Sequence, residues 1–586
     1  MMTNTSPLVA YFSMEIGLES TMPTYAGGLG VLAGDTIRSA ADLEVPMVAV
    51  TLLHRHGYFF QRLDEHGHQT EEPVVWSIDD FLEPLPARVA VKVEGREVVI
   101  QAWRYLAMGM TGFHVPVLFL DTDLGENTPV DRTLTNDLYG GDRAYRLSQE
   151  TVLGLGGVRM LRALGYRHIV RFHMNEGHAA LLVLALLEEQ LAASGPGATV
   201  TPEVAEAIRA QCVFTTHTPV PAGHDQFPSD LARRILGAPY CDWLNTCGQA
   251  GGLNMTDLAL HNSQFINGVA MKHGEISRGM FPEYPIHSIT NGVHALTWIT
   301  APFQALYDQY LPGWRRDSLL LRYAISIPGA AIWSAHQETK RALVSYVNRM
   351  TNAGFDQDVL ILGFARRATP YKRAMLPFYD LDRLRAITKD TGPLQLVFAG
   401  KAHPQDMEGK KVIEAVHQAR DALQGQVNVV YLANYDMDLG KLLCAGADVW
   451  LNTPMPPQEA SGTSGMKAAL NGVPSLSVLD GWWIEGHIED VTGWAIEDRT
   501  PTSLMTPQEI DRHHAEGFYV KLSERVLPCF YGDREHFMTI MRYTITLNGA
   551  FFNTQRMVWQ YLHNAYHMHE PVSPGIVPNS ANVPLT

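Results

Sequence analysis

Within nine residues, the stretch EASGTSGMK (Glu459 to Lys467) brings together a carboxylate, two glycines, three hydroxyls and a lysine. It follows ADVWLNTP, an apolar run that reads as a buried strand ended by Pro454. If a helix starts at about Gly462, Thr463 and Ser464 occupy its first turn. There, free N–H groups and the positive end of the helix dipole attract an anion. Gly462 lets a ligand approach the main chain. Lys467 lies four residues beyond Thr463 and three beyond Ser464, on the same face. An anion at the helix tip and the lysine would stand about 5 Å apart along the axis. That spacing serves a cofactor carrying both an aldehyde and a phosphate, pyridoxal 5′-phosphate, with Lys467 as covalent anchor and Thr463 and Ser464 on the phosphate. A Ser/Thr-capped helix bearing one exposed lysine accounts for the same letters. A Walker A loop does not, because the glycine spacing is wrong and no Ser or Thr follows the lysine.

Three further clusters could do chemistry. YAGGLGVLAGD places Gly28, Leu29 and Gly30 in a formal dinucleotide fingerprint. The strand before it, LVAYF, ends too far upstream, and no acidic residue stands at the ribose position, which argues against NAD. A glycine-rich helix start holding phosphate or sugar phosphate fits better. FARRATPYKR sets Arg366, Arg367, Lys372 and Arg373 just after a strand; four cations there face either solvent or an anion. HMNEGH (His173, Glu176, His178) and TTHTP (His217) put histidines at strand ends without the i, i+4 spacing of zinc sites, so no metal is expected. Such groups more often meet substrate hydroxyls or serve structure.

These residues need a scaffold. Short β-branched runs alternate with helical stretches, from VPMVAVTLL and HVPVLFL to DVLILGFAR and LQLVFAG. That rhythm predicts an α/β fold with parallel sheets. It resets near residue 300, and 586 residues exceed one core, so two domains facing a cleft are expected. The expected division is 1–298, 299–568 and a Pro-rich tail over 569–586. A formal net charge of −16 without a basic run excludes nucleic acid as partner. The N-terminus lacks a signal peptide, no stretch is long enough for a membrane span, and five cysteines show neither disulfide-framework nor zinc spacing. A cytoplasmic protein is the expectation.

Taken in order, YAGGLGVLAGD, LYGGDRAYRLSQE, FHMNEGHAA, TTHTPV, ITNGVHALTW, RRATPYKR, GKAHP and EASGTSGMKAALNG resemble the α-glucan phosphorylase family, in its shorter bacterial branch. The resemblance implies two Rossmann-like, doubly wound domains around a central cleft, the GT-B architecture. It places pyridoxal phosphate on Lys467, with Thr463, Ser464, Tyr435, Trp298 and Arg366 around it. Arg367 and Lys372 match the grip on substrate phosphate and, with His217 and Lys467, make the catalytic set. Gly28 and Leu29 match the backbone donors of the glycine loop. Glu459, Gly462, Asn291, Glu176 and His178 fall on the sugar side, where His217 also lies. Ser464 stands where animal members have Gly, and Thr369-Pro370 where they have His-Glu.

The implied reaction is phosphorolysis of an α-1,4-glucan or malto-oligosaccharide by inorganic phosphate, giving glucose 1-phosphate with retention. The acid would be a phosphate, whose second pKa near 6 suits proton exchange at neutral pH, rather than the two carboxyl groups of ordinary glycosidases. The family is often dimeric, so a homodimer is the assembly it offers. The glycine loop begins close to the N-terminus, so phosphorylation or nucleotide control is not expected. The nearest competitor is a nucleotide-sugar transferase of the same architecture. Many retaining members of that group carry Glu-x7-Glu, where this sequence has Glu459 and Lys467.

Overall fold

The computed structural model describes residues 8–568 except 221–223, 247, 248, 250 and 498–504. The tail over 569–586 lies outside the described residues. The apolar runs become strands because their β-branched and aromatic side chains can be buried on both faces, as parallel sheets flanked by helices require. Met47–Leu52, Leu360–Ala365 and Leu394–Ala399 are buried at every position.

Two sheets result. The first has nine strands, in the order Ile286–Ser288, Phe265–Gly268, Cys212–Thr215, Ile169–Asn175, Leu8–Ser13, Met47–Leu52, His114–Asp121, Arg96–Met108 and Glu83–Val93. The first seven run parallel; the last two form an antiparallel hairpin at one edge. The second sheet has six parallel strands, in the order Asn428–Leu432, Leu394–Ala399, Leu360–Ala365, Val449–Asn452, Ser475–Ser477 and Gly493–Ala495. That is the 3-2-1-4-5-6 order of doubly wound folds, which reverses between Leu360–Ala365 and Val449–Asn452. The first sheet reverses at Leu8–Ser13. At each reversal the connections leave in opposite directions and open a crevice at the strands' carboxyl ends. The fold is therefore α/β with two doubly wound sheets.

Direct bonds join the two halves. The Tyr25 hydroxyl oxygen accepts the Met437 N–H (3.0 Å), the Gln61 amide donates to the Gly400 carbonyl (2.9 Å), and Lys401 Nζ donates to the Phe59 carbonyl (2.9 Å). The helix Thr554–Tyr561 and the turn after it return to the first half, where Met557, Val558, Tyr561, Leu562, Ala565 and Tyr566 share a core with Val9, Tyr11 and Val117.

Candidate active site

The second sheet delivers its cations at the point of reversal. Arg366 and Arg367 follow Leu360–Ala365 directly, and Lys372 ends a short 3₁₀ turn at Pro370–Lys372. Glu459 follows Val449–Asn452, the strand on the other side of the crevice. Its buried Oε2 accepts from Lys372 Nζ at 2.5 Å and from Arg366 Nη2 at 3.0 Å. Burial raises the Glu459 pKa, but Arg366 and Lys372 outweigh it and hold the carboxyl down at about 2. Breaking such a buried pair by removing one partner costs about 3–5 kcal/mol, because the other charge is left alone. Arg367 is exposed. Arg373, expected with the other cations to face an anion, turns into the protein instead. It bonds the carbonyls of Thr453 (2.9 Å) and Pro454 (2.6 Å), Asp511 (2.9 Å) and His514 (2.7 Å). A left-handed φ of 49° reverses its direction relative to Lys372.

The helix after Glu459 is Ser464–Leu470, two residues later than the sequence suggests. Thr463 is its cap rather than part of its first turn, and Gly462, at φ 76°, turns the chain into it. Ser464 Oγ accepts the Trp450 indole N–H at 3.0 Å. Lys467 is buried, and its Nζ sits 3.8 Å from the centroid of the Trp298 ring. Burial lowers the Lys467 pKa, with Asp35 and Cys444 pulling the other way. Asp35 belongs to the first half. One of its oxygens accepts the Trp298 indole N–H (2.7 Å) and the His294 N–H (3.1 Å), while buried Oδ1 has no hydrogen-bond partner. Tyr435 is half-buried, with burial raising its pKa far above the ordinary phenol value and Arg366 opposing. A buried amine of lowered basicity, an orphaned carboxylate oxygen, an aromatic face and a side-chain-free turn at Gly462 fit an aromatic aldehyde bearing a phosphate.

The first half contributes two carboxylates. Glu15, just past Leu8–Ser13, accepts the N–H groups of Ala26 (2.6 Å) and Gly27 (3.2 Å) and the Tyr139 hydroxyl (2.8 Å). It thereby shapes the loop entering the helix Gly28–Asp42, whose first two residues are Gly28, exposed, and Leu29, half-buried. Glu176, after Ile169–Asn175, has φ 74°, a conformation non-glycine residues avoid at a cost of about 1–3 kcal/mol. Its carboxylate accepts the N–H groups of Gly177 (2.9 Å) and His217 (2.8 Å) and the Thr218 hydroxyl (3.0 Å). His217 Nε2 meets Asn175 Oδ1 at 2.7 Å, and burial pushes the imidazole pKa down to about 4, so the ring is neutral at pH 7. His178 pairs with Asp225 (3.3 Å), which also meets Arg146 (3.0 Å). Beside them lies a cleft of about 730 Å³, lined by Tyr139, Arg146, His224, Asp225, Phe227 and, from the second half, Gln405. Asn291 is buried with Oδ1 unpartnered, and its carbonyl accepts from Arg556 (2.8 Å).

Four groups were missed from the sequence: Glu15, Tyr25, Asp35 and Asp480. Glu15 stands two residues after Leu8–Ser13, and Asp480, whose carboxylate accepts the Glu459 N–H (2.9 Å), three after Ser475–Ser477, close to the position that made Arg366 and Glu176 visible. Asp35 gave no such signal, being one acid inside an apolar helix. Among the described residues no cluster of His, Cys, Asp and Glu could hold a metal ion.

Residues 244–494 match the family described as carbohydrate phosphorylase. The chain is 37% identical to a maltodextrin phosphorylase of Thermococcus litoralis, with 95% of this chain and 70% of the relative covered. It is 36% identical to a glycogen phosphorylase of Mycobacterium tuberculosis over the same shares, and 33% identical to one of Aquifex aeolicus over 95% of this chain and 86% of the relative. With its buried lysine, its paired cations and that likeness along nearly its whole length, the chain belongs to the carbohydrate phosphorylase family of enzymes.

Proposed function

We propose that this enzyme is an α-1,4-glucan phosphorylase, transferring the non-reducing-end glucosyl unit of a glucan to inorganic phosphate with retention. The observation that carries the reading is the meeting, at the reversal point of the second sheet, of Arg366, Lys372 and Glu459 with a helix whose buried Lys467 has lowered basicity. Lys467 would hold pyridoxal phosphate, with Trp298 against its amine and Tyr435, Thr463, Ser464 and Arg366 around the group. Bound there, the cofactor supplies a second phosphate able to exchange protons with the substrate phosphate.

The chain's own groups do the rest. Lys372, Arg367 and the N–H groups at Gly28 and Leu29 fix substrate phosphate oxygens, and in a water-poor crevice such preorganised donors are worth far more than in solution. The phosphate so held protonates the glycosidic oxygen, then, as an anion, flanks the positive charge that develops on the sugar. Neutral His217, oriented by Asn175, and Glu176, fixed by three donors, present hydrogen-bonding groups to sugar hydroxyls. Glu459, Gly462 and Asn291 would serve the same sugar, and Asp225, paired with His178, borders the cleft that would take the rest of the glucan. Excluding water prevents hydrolysis from competing.

The test is near-ultraviolet absorbance of the purified protein before and after borohydride reduction, with peptide mapping, beside an assay for glucose 1-phosphate. A pyridoxyl label on Lys467, lost in Lys467→Ala together with phosphate-dependent glucose 1-phosphate release, is expected. A folded protein that takes no label after incubation with pyridoxal phosphate would sink the reading and favour a nucleotide-sugar transferase.

A further inference from the structure

Glu459 is in an unexpected place for a sugar-contacting residue: its Oε2 holds one cation assigned to each phosphate, Arg366 at 3.0 Å and Lys372 at 2.5 Å. Two positive charges therefore share one negative charge. The backbone at this point is pinned. The Glu459 N–H donates to Asp480 Oδ2 (2.9 Å), and the Trp482 N–H donates to the Ser461 carbonyl (2.8 Å). The side chain is buried, but one of its neighbours carries no side chain of its own. Gly462 lies beside it, and a Cβ added there would stand 3.6 Å from the Glu459 carboxyl carbon and 3.5 Å from Trp482. With the main chain pinned, rotation about its side-chain bonds is the route by which the carboxylate would leave the cations.

We propose that Glu459 is a partner-exchanging carboxylate that sets anion choice and couples anion binding to sugar binding. It neutralises Lys372 until the substrate dianion takes that cation, Arg366 being shared with the cofactor phosphate, and the freed carboxylate then accepts hydrogens from the sugar hydroxyls. The inference rests on the phosphorylase reading for the identity of the two ligands. A monoanion offers the cations nothing that Glu459 does not already supply, so it is a poor competitor. A dianion offers twice the charge and wins. Once displaced, a buried carboxylate needs new donors, because an unpaired buried charge is costly, and sugar hydroxyls are the donors at hand. Dianion and sugar then strengthen each other's binding by one and the same factor, as linkage demands.

The test is titration calorimetry of the holoenzyme with maltopentaose. Sulfate serves as a dianion with no proton to give, so that no turnover intervenes, and nitrate as a monoanion at matched ionic strength. Sulfate should raise maltopentaose affinity by at least about fivefold, within the usual range of coupling between sites, and nitrate should leave it unchanged. In Glu459→Gln the two ligands should bind independently, within about twofold, and the preference for sulfate over nitrate should shrink. Should that variant fold poorly in a thermal melt, Glu459→Asp carries the same test: it keeps the charge but shortens its reach to the cations and the sugar, and the coupling should fall at least about twofold. Unchanged maltopentaose affinity in sulfate, or wild-type coupling retained in Glu459→Gln, would overturn the exchange. Glucose 1-phosphate formation by the wild type separates the two ideas. Formation without coupling defeats the exchange alone, whereas coupling without formation defeats the phosphorylase reading alone.

Discussion

His173 shows what a single buried residue does to the chemistry of the whole. Its Nδ1 meets the Tyr566 hydroxyl at 2.6 Å and its Nε2 the Thr215 hydroxyl at 2.8 Å, and burial, helped by nearby His217, pushes its pKa down to about 3. An unfolded histidine titrates near 6.5. Between pH 6.5 and about 3 the unfolded chain therefore takes up a proton that the folded one refuses, so this group's contribution is full above pH 6.5 and is lost as pH falls. Other buried groups titrate too, burial-raised Asp35 and Glu15 in the opposite sense, so the clean measurement is a difference. Urea unfolding of wild type and His173→Gln from pH 7.5 to 4.5 should show the wild type losing ground below pH 6.5. The slope of the difference should approach one proton, about 1.4 kcal/mol per pH unit. A pH-independent difference would mean that His173 takes up its proton as readily in the folded protein as in the unfolded chain.

The helix Gly28–Asp42 is the element that ties sequence to site most closely. It opens the glycine loop, carries Asp35 towards Trp298 and packs so near the strand-end loop that a Cβ on Gly34 would stand 1.8 Å from the Gly17 carbonyl oxygen. Backbone cannot yield as a side-chain tip can, so Gly34→Ala must shift the helix or the loop, at about 1–3 kcal/mol or more. We expect a lower urea midpoint and at least a tenfold loss of kcat/KM, read from unfolding and from phosphate-dependent turnover. Wild-type values for both would show that the loop moves freely. Elements of this kind were legible where composition declares burial. VPMVAVTLL, HVPVLFL and DVLILGFAR became strands because no charge interrupts their apolar, β-branched runs. The edge hairpin Glu83–Val93 and Arg96–Met108 was not read as strands, although REVVIQAWRYLAM alternates at period two as a half-exposed strand should. At the site, Lys467, Glu459 and Arg366 stood out because charge beside glycine at a strand end is informative. What no spacing reveals is which charge pairs with which. Arg373 turning to Asp511 and His514, and Lys372 turning to Glu459, depend on tertiary approach across about a hundred residues.

At the scale of the molecule, each sheet reversal opens towards the other half, and bonds such as Lys401 to the Phe59 carbonyl hold the halves at a set spacing. Among the described residues no helix is long and apolar enough to cross a membrane. The return of Thr554–Tyr561 adds a constraint of another sort. The Tyr561 hydroxyl meets Asn267 (3.0 Å) and Thr215 (3.1 Å), and Tyr566 closes over His173, so part of the first core is built from residues far along the chain. A fragment ending at residue 298 should therefore expose apolar surface, bind a hydrophobic dye and aggregate, and adding a peptide of residues 550–568 should suppress both effects. A monomeric, dye-silent fragment would show that the first sheet is finished without that helix. During translation the consequence is one of timing. The ribosome releases the first sheet hundreds of residues before the helix that seals it, so the nascent half must wait, open and in need of shielding, for the synthesis of a segment it cannot replace.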